Sequence, residues 1–165
     1  MILTSRPTAP TLWSRRSILV SLLASLVATP ASATKELTVL FICQFGSVKS
    51  ATARELFRQR AASRGVRVRA FSRGITPEPH MSPALKAVLA SEGVDPAHDP
   101  LAQLQAGDLK RADMVIIFDK LPPGLHGKKL HDWTDLGSFN ESWATERPRL
   151  LARIDALIDE LSTRG

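Results

Sequence analysis

Hydrophobic and polar residues follow patterns along the chain that predict strands alternating with helices. The continuous hydrophobic run from Leu37 to Ile42 is typical of a strand buried on both faces. From Lys49 to Arg64 hydrophobic residues recur at helical spacing, and Gly65 ends the segment. Val66 to Phe71 then alternates hydrophobic and basic residues, which indicates a strand exposed on one face, and 72–79 is a predicted loop. The first part of the domain is therefore a predicted strand–helix–strand unit.

The same alternation continues to the end of the chain. Ser82-Pro83 begins a predicted helix, and a shorter helical piece is predicted over 101–104. Residues 114–118 form the third predicted strand and 129–133 a weaker fourth. The last helix is indicated by hydrophobic residues at helical spacing: Leu150, Leu151, Ile154, Leu157, Ile158 and Leu161. Strands that alternate with helices form parallel βαβ units, so the sequence predicts an α/β domain.

Residues 1–33 have the pattern of a secretory signal rather than of a folded domain. Two adjacent arginines, Arg15 and Arg16, precede the hydrophobic run 18–27, and Ala31-Ser32-Ala33 is typical of a cleavage site. The arginine pair indicates the twin-arginine export machinery, so we expect a periplasmic or secreted protein whose mature domain is 34–165. The run is shorter than the roughly twenty residues of a membrane span, so no stable span is expected after cleavage. An uncleaved anchor and a wrong start codon are the alternatives.

Composition and charge exclude several classes of function. The net charge is +6, but three of the positive charges lie in residues 1–33, and the remaining excess is too small to argue for nucleic-acid binding. A single cysteine excludes an internal disulfide framework and a cysteine-rich zinc site. The four histidines lack the spacing of metal ligands, so neither a metal nor a cofactor is expected.

The segment after the first predicted strand, Cys43 to Ser50, has the residues of an anion-binding loop with a nucleophile. Ligands of open α/β sheets bind beyond the carboxyl ends of the strands, and the amides of a loop entering a helix hold anions. The same positive field stabilises a thiolate at Cys43, Gly46 permits a positive φ, and Lys49 adds a full charge. Ser50 can donate a hydrogen bond that stabilises the thiolate as a leaving group, and a thiolate beneath a bound oxyanion is placed for in-line attack and a covalent intermediate. The alternative is that Cys43 is an unreactive buried residue.

This octet resembles the loop of the low-molecular-weight protein tyrosine phosphatases and of the arsenate reductases that share their fold. The resemblance continues in order through Ser50–Phe57, Ser72–Gly74, Ser82–Asp95 and Leu109–Asp119. It implies a three-layer α/β sandwich with a four-stranded parallel sheet, and thus a phosphatase-like domain over 34–165. It also implies that Cys43 is the nucleophile and Lys49 a catalytic cation, and that the rest of the loop binds substrate: Gln44, Phe45, Gly46, Ser47, Val48 and Ser50.

Two positions depart from the family pattern. Lys49 stands where the family has an arginine, and a lysine keeps the charge but loses the grip on two oxygens at once. Gly46 stands where the family usually has an asparagine that ties the loop together. These departures favour oxyanion binding over fast turnover.

A phosphatase of this type also needs a proton donor for the leaving group. In the family this is an aspartate near the C-terminus, usually followed by proline, but the last third of this chain has no Asp-Pro pair. We expect Asp135 to be the donor, with Asp132 as the main alternative. Asp119, which ends the third predicted strand, is a further candidate, although it also suits an ordinary turn.

The resemblance therefore predicts a protein-tyrosine-phosphatase-like hydrolase that cleaves phosphate monoesters through a cysteinyl-phosphate intermediate. Its expected partner is a phosphorylated protein or a small phosphate ester. One alternative is a non-catalytic oxyanion-binding protein. Another is an arsenate reductase that uses an external thiol, because a single cysteine cannot resolve an intermediate through an internal disulfide.

Overall fold

The structure is a computed structural model that describes residues 36–95 and 99–163, so the predicted signal peptide in 1–33 lies outside the described residues. The described residues form these elements in chain order: β1 (Leu37–Cys43), α1 (Lys49–Ser63), β2 (Val68–Gly74), α2 (Pro83–Ser91), α3 (Ala106–Arg111), β3 (Met114–Ile117), β4 (Leu130–Asp132) and α4 (Phe139–Ser162). Within these residues, no helix is long and hydrophobic enough to cross a membrane.

The four strands form one parallel sheet, as the resemblance implies, and their order in it is β2-β1-β3-β4. β1 lies between two neighbours, and its residues from Val39 to Cys43 are buried. This position explains its uninterrupted hydrophobic run, since a strand covered on both faces has no polar side.

Helices cover both faces of the sheet, which confirms the three-layer sandwich. Val39, Phe41 and Cys43 on β1 belong to a core with residues of α1, α2 and α4, whereas Leu40 and Ile42 belong to a second core with residues of α3 and β3. Successive side chains of a strand point to opposite faces, so β1 contributes to both cores. Burial of each large hydrophobic side chain of this kind stabilises the fold by about 1.5–3 kcal/mol.

The edge beyond β2 differs from the sequence prediction. β2 continues to Gly74, where a loop was expected from residue 72, because Gly74 pairs with Cys43 at the end of β1. The predicted helical piece over 101–104 is wrong, since Gln103 forms a bridge to Gly74 on its other side. Gly74 N–H donates to the Ala102 carbonyl at 3.0 Å, which holds this segment in an extended form.

The third helix, α3, was not predicted and begins at a capping box. Asp108 accepts a hydrogen bond from the Gln105 N–H at 3.0 Å and bonds to Arg73 and Arg111. Burial raises the pKa of Asp108, but the hydrogen bonds from Arg73, the Gln105 amide and Arg111 outweigh it, so the pKa lies below its usual value. Asp108 is therefore ionised and paired in the folded protein at neutral pH.

Candidate active site

The sulfur of Cys43 lies at the carboxyl end of β1, where the chain turns into α1. The Gly46 N–H donates to Sγ at 3.2 Å, and Ser50 Oγ lies 3.1 Å from it. α1 begins at Lys49, so its N-terminus is adjacent to the sulfur. An amide, a hydroxyl and a helix N-terminus that converge on one thiol form the surroundings in which a cysteine acts as a nucleophile.

The loop between Cys43 and Lys49 depends on a contact between two glycines. Gly46 has a φ of +70°, which confirms the predicted left-handed conformation. A Cβ on Gly46 would lie 2.9 Å from the Gly74 nitrogen, and a Cβ on Gly74 would lie 2.9 Å from the Gly46 nitrogen. Both contacts are with backbone atoms, which cannot swing aside as a flexible side chain can. Gly74 is therefore a structural part of the site.

Lys49 connects the loop to the segment that follows β4. Its Nζ donates to the Leu136 carbonyl at 2.7 Å, and its side chain is half-buried. A lysine ammonium has three donors, so this bond leaves two for an anion. The lysine therefore lies at the loop as predicted, with one of its donors bound to the chain at Leu136.

The cleft over Cys43 has a volume of about 290 Å³. Phe45, which lines the cleft, is 48% exposed. The lining residues are Cys43, Gln44, Phe45, Val48, Lys49, Asp119, Gly137, Ser138, Phe139 and Asn140. This volume accommodates a phosphate group with part of the group it is attached to, but not a large ligand.

The other loop residues bind to neighbouring segments. Gln44 donates its N–H to Asp119 Oδ2 at 2.8 Å, and its side-chain amide to Thr76 Oγ1 at 3.3 Å. Ser47 is fully buried, and its hydroxyl donates to Glu78 Oε2 at 2.7 Å. The Gln44 N–H is thus committed to a carboxylate, which leaves the amides further along the loop for an anion.

The three candidate carboxylates are distributed unequally around the cleft. Among the described residues that line it, Asp119 is present, whereas Asp132 and Asp135 are not. The carboxyl group of Asp135 is 55% exposed and is held by Arg149 at 2.8 Å and Arg153 at 2.7 Å. These two arginines, Arg153 foremost, hold the pKa of Asp135 below its usual value.

Asp132, at the end of β4, is turned toward the next residues of its own chain segment. Its Oδ1 accepts the Thr134 N–H at 2.9 Å, and hydrogen bonds from the side chain and the backbone of Thr134 lower its pKa. The structure therefore brings Cys43, Lys49 and Asp119 together at the cleft. Asp132 and Asp135 stand outside its lining, each with an ionised carboxylate at neutral pH.

Comparison with known proteins identifies the family. The family model of the low molecular weight phosphotyrosine protein phosphatases matches residues 38–125. The chain belongs to this family. The matched range contains the loop from Cys43 to Ser50 and Asp119, so the resemblance seen in the sequence is confirmed. A search of curated proteins finds no match.

Solved structures share the fold of this family member at low sequence identity. YfkJ from Bacillus subtilis superposes with a TM-score of 0.68 at 16% identity, covering 81% of this chain and 99% of YfkJ. A low molecular weight protein tyrosine phosphatase from T. tengcongensis gives 0.59 at 23% identity, covering 76% and 99%. A thioredoxin-dependent arsenate reductase from Corynebacterium glutamicum gives 0.60 at 22% identity, covering 80% and 64%. At these identities the likeness shows the fold alone.

Several residues of the site were missed in the sequence analysis. Glu78 and Thr76 come from the segment after β2, which was predicted only as a loop. Residues 137–140 form one wall of the cleft and carry no motif that would have marked them. Gly74 belongs to the Ser72–Gly74 match with the family, which was the one available signal for its role.

Proposed function

We propose that this protein is a cysteine-dependent phosphatase that hydrolyses phosphate monoesters of the phosphotyrosine type. The observation that carries the proposal is the position of Cys43 Sγ, which receives the Gly46 N–H at 3.2 Å at the base of a cleft beside the N-terminus of α1. A thiol in this position faces the place where the loop amides would hold a phosphate group.

The reaction takes two steps. Cys43 Sγ attacks phosphorus, so that an S–P bond forms while the P–O bond to the leaving group breaks, and the leaving oxygen takes a proton from an acid. Water then attacks phosphorus and gives a proton to the same carboxylate, the S–P bond breaks, and phosphate leaves with the thiolate restored. Amides of 45–49 and the ammonium of Lys49 stabilise the charge on the equatorial oxygens in both steps.

We propose Asp135 as the acid, in a conformation in which its carboxyl group has left Arg149 and Arg153. The next residue, Leu136, accepts a hydrogen bond from Lys49 at 2.7 Å, so the Asp135 backbone is already close to the cleft. Contacts of catalytic acids often form only when substrate is bound. Asp119 instead supports the loop through its bond to the Gln44 N–H.

Turnover of p-nitrophenyl phosphate by the wild type, Cys43→Ser and Cys43→Ala tests the proposal. We expect turnover in the wild type and none in either variant, because neither a serine hydroxyl nor a methyl group replaces the thiolate as nucleophile. Thermal unfolding checks that both variants fold. Activity that persists in Cys43→Ser, or a wild type that is inactive at every pH tested, would contradict the assignment.

A second candidate is an oxyanion-binding protein without turnover. It is favoured by the hydrogen bond from Lys49 Nζ to the Leu136 carbonyl, because this bond occupies one of the three donors that the ammonium could give to an anion. A lysine also lacks the planar fork that holds two phosphate oxygens of a transition state. Calorimetry with inorganic phosphate, combined with the turnover assay, distinguishes the candidates, since this one requires binding with no product.

We also propose that residues 1–33 direct export through the twin-arginine machinery, which makes the site periplasmic or secreted. Arg15, Arg16 and the hydrophobic run after them support this proposal. A reporter fused to residues 1–33 should be exported, and the double substitution Arg15→Lys with Arg16→Lys should retain it in the cytoplasm. Export that is indifferent to the double substitution would exclude this route.

A further inference from the structure

The segment after β2 runs along the outer side of the anion loop. The N–H groups of Ile75, Thr76 and Glu78 donate to the carbonyls of residues 43, 44 and 45 at 3.1, 2.8 and 3.0 Å. A loop can turn its amides toward an anion only when its carbonyls face elsewhere and have partners there. Residues 75–78 supply those partners, so this segment sets the orientation of the loop.

Glu78 is attached to the loop twice. Besides its N–H, which reaches the Phe45 carbonyl, its Oε2 accepts the hydroxyl of Ser47 at 2.7 Å. Ser47 is fully buried, whereas Glu78 is exposed. A hydrogen bond from a buried hydroxyl to a carboxylate is among the stronger ones in proteins, and it fixes the Ser47 side chain.

We propose that Glu78 is a positioning residue that latches the anion loop through Ser47 and thereby sets its affinity for phosphate. The inference rests on the proposed function, because it concerns the same site. The Gly46–Gly74 contact and the Glu78 latch together hold the loop, which the family usually ties together with an asparagine at position 46. The latch carries a negative charge, which opposes anion binding, so its geometry and its charge act in opposite directions.

Two substitutions of Glu78 separate the effect of its hydrogen bond from the effect of its charge. Glu78→Gln keeps an oxygen that accepts the Ser47 hydroxyl and removes the charge, so phosphate should bind about threefold more tightly at low salt, and less so at high salt. Glu78→Ala removes the latch as well, so phosphate affinity should fall about tenfold. Ser47→Ala breaks the same bond from the other side but keeps the charge of Glu78, so it should lower the affinity at least as much as Glu78→Ala.

Titration calorimetry with inorganic phosphate measures these affinities directly. The matched control is Glu36→Gln, since Glu36 is an exposed carboxylate that precedes β1, at the opposite end of that strand from the loop. Denaturant unfolding confirms that each variant is folded, and rescue by glutamine relative to alanine separates positioning from a general loss of structure.

Equal affinities in the wild type, Glu78→Gln and Glu78→Ala would overturn the latch. A gain in Glu78→Ala as large as that in Glu78→Gln would also overturn it, because Glu78 would then act through charge alone. Turnover of p-nitrophenyl phosphate is measured separately. A wild type that binds phosphate without turnover defeats the proposed phosphatase and leaves the latch to be judged by the affinities.

Discussion

Replacing Gly46 by alanine tests whether the contact between the loop and Gly74 shapes the site. Gly46 has a φ of +70°, and its new Cβ would lie 2.9 Å from the Gly74 nitrogen and 3.0 Å from the Gly74 Cα. Neither backbone atom can move without shifting the end of β2 or the loop itself. The substitution therefore perturbs the orientation of the amides around Cys43 as well as the stability of the fold.

Gly65→Ala is a matched control for this substitution. Gly65 has a φ of +68°, but a Cβ there would meet nothing within 4 Å. In both variants the left-handed conformation lowers the free energy of unfolding by about 1–2 kcal/mol, and both alanines restrict the unfolded chain to the same extent. Forced contact with backbone adds about 1–3 kcal/mol at Gly46 alone. We expect that difference between the two variants in the free energy of unfolding.

Urea unfolding followed by tryptophan fluorescence measures the free energy of unfolding of each variant, because Trp133 is buried in the core that β1 forms with α1, α2 and α4. The turnover assay measures the consequence for the site. A displacement of about 1 Å in a catalytic group can cost 10²-fold in rate, so Gly46→Ala should lose most of its activity while Gly65→Ala keeps it. Equal destabilisation by the two alanines, together with unchanged activity in Gly46→Ala, would refute the argument that this contact shapes the loop.

Three further predictions concern charge. Lys49→Met should weaken phosphate binding about tenfold or more by calorimetry, whereas Lys49→Arg, which restores a planar fork, should raise kcat/KM for p-nitrophenyl phosphate above the wild-type value. Asp135→Asn should lower kcat more for an alkyl phosphate than for p-nitrophenyl phosphate, since only the poorer leaving group depends strongly on a proton. Asp119→Asn should instead change phosphate affinity. A leaving-group effect in Asp119→Asn and an affinity change in Asp135→Asn would exchange their roles. The pKa of Asp108 is lowered in the folded protein, so its contribution to stability is present above about pH 4 and is lost as the pH falls below that value. Asp108→Asn should therefore flatten the loss of urea stability between pH 5 and pH 3, and an unchanged slope would count against the ion pairs that hold it.

The sequence predicted those parts of the fold that are encoded locally. The hydrophobic run of β1 and the loop from Cys43 to Ser50 each lie within a few successive residues, and both are present as predicted. The stretch 101–104 was mispredicted because its conformation is set by pairing with Gly74, which is remote in sequence. No local pattern carries that information, because tertiary pairing overrides short-range propensity.

The candidate site shows the same division between local and remote determinants. The proposed nucleophile Cys43 and the proposed cation Lys49 lie within one octet, but the orientation of Asp135 is set by Arg149 and Arg153 on α4. The latch between Ser47 and Glu78 likewise joins residues 31 positions apart. The residue types indicate what chemistry these side chains can perform, whereas only the folded chain shows which of them are in contact.

Trapping of the covalent intermediate tests the central claim most directly. Wild-type protein is mixed rapidly with p-nitrophenyl phosphate, quenched in denaturing alkaline solution, and its peptides are analysed by mass spectrometry. The account predicts a phosphoryl group on the peptide that contains Cys43, formed with a burst of nitrophenolate that approaches about one per chain. Nitrophenolate released in many turnovers with no phosphoryl group on Cys43 at any quench time would contradict it.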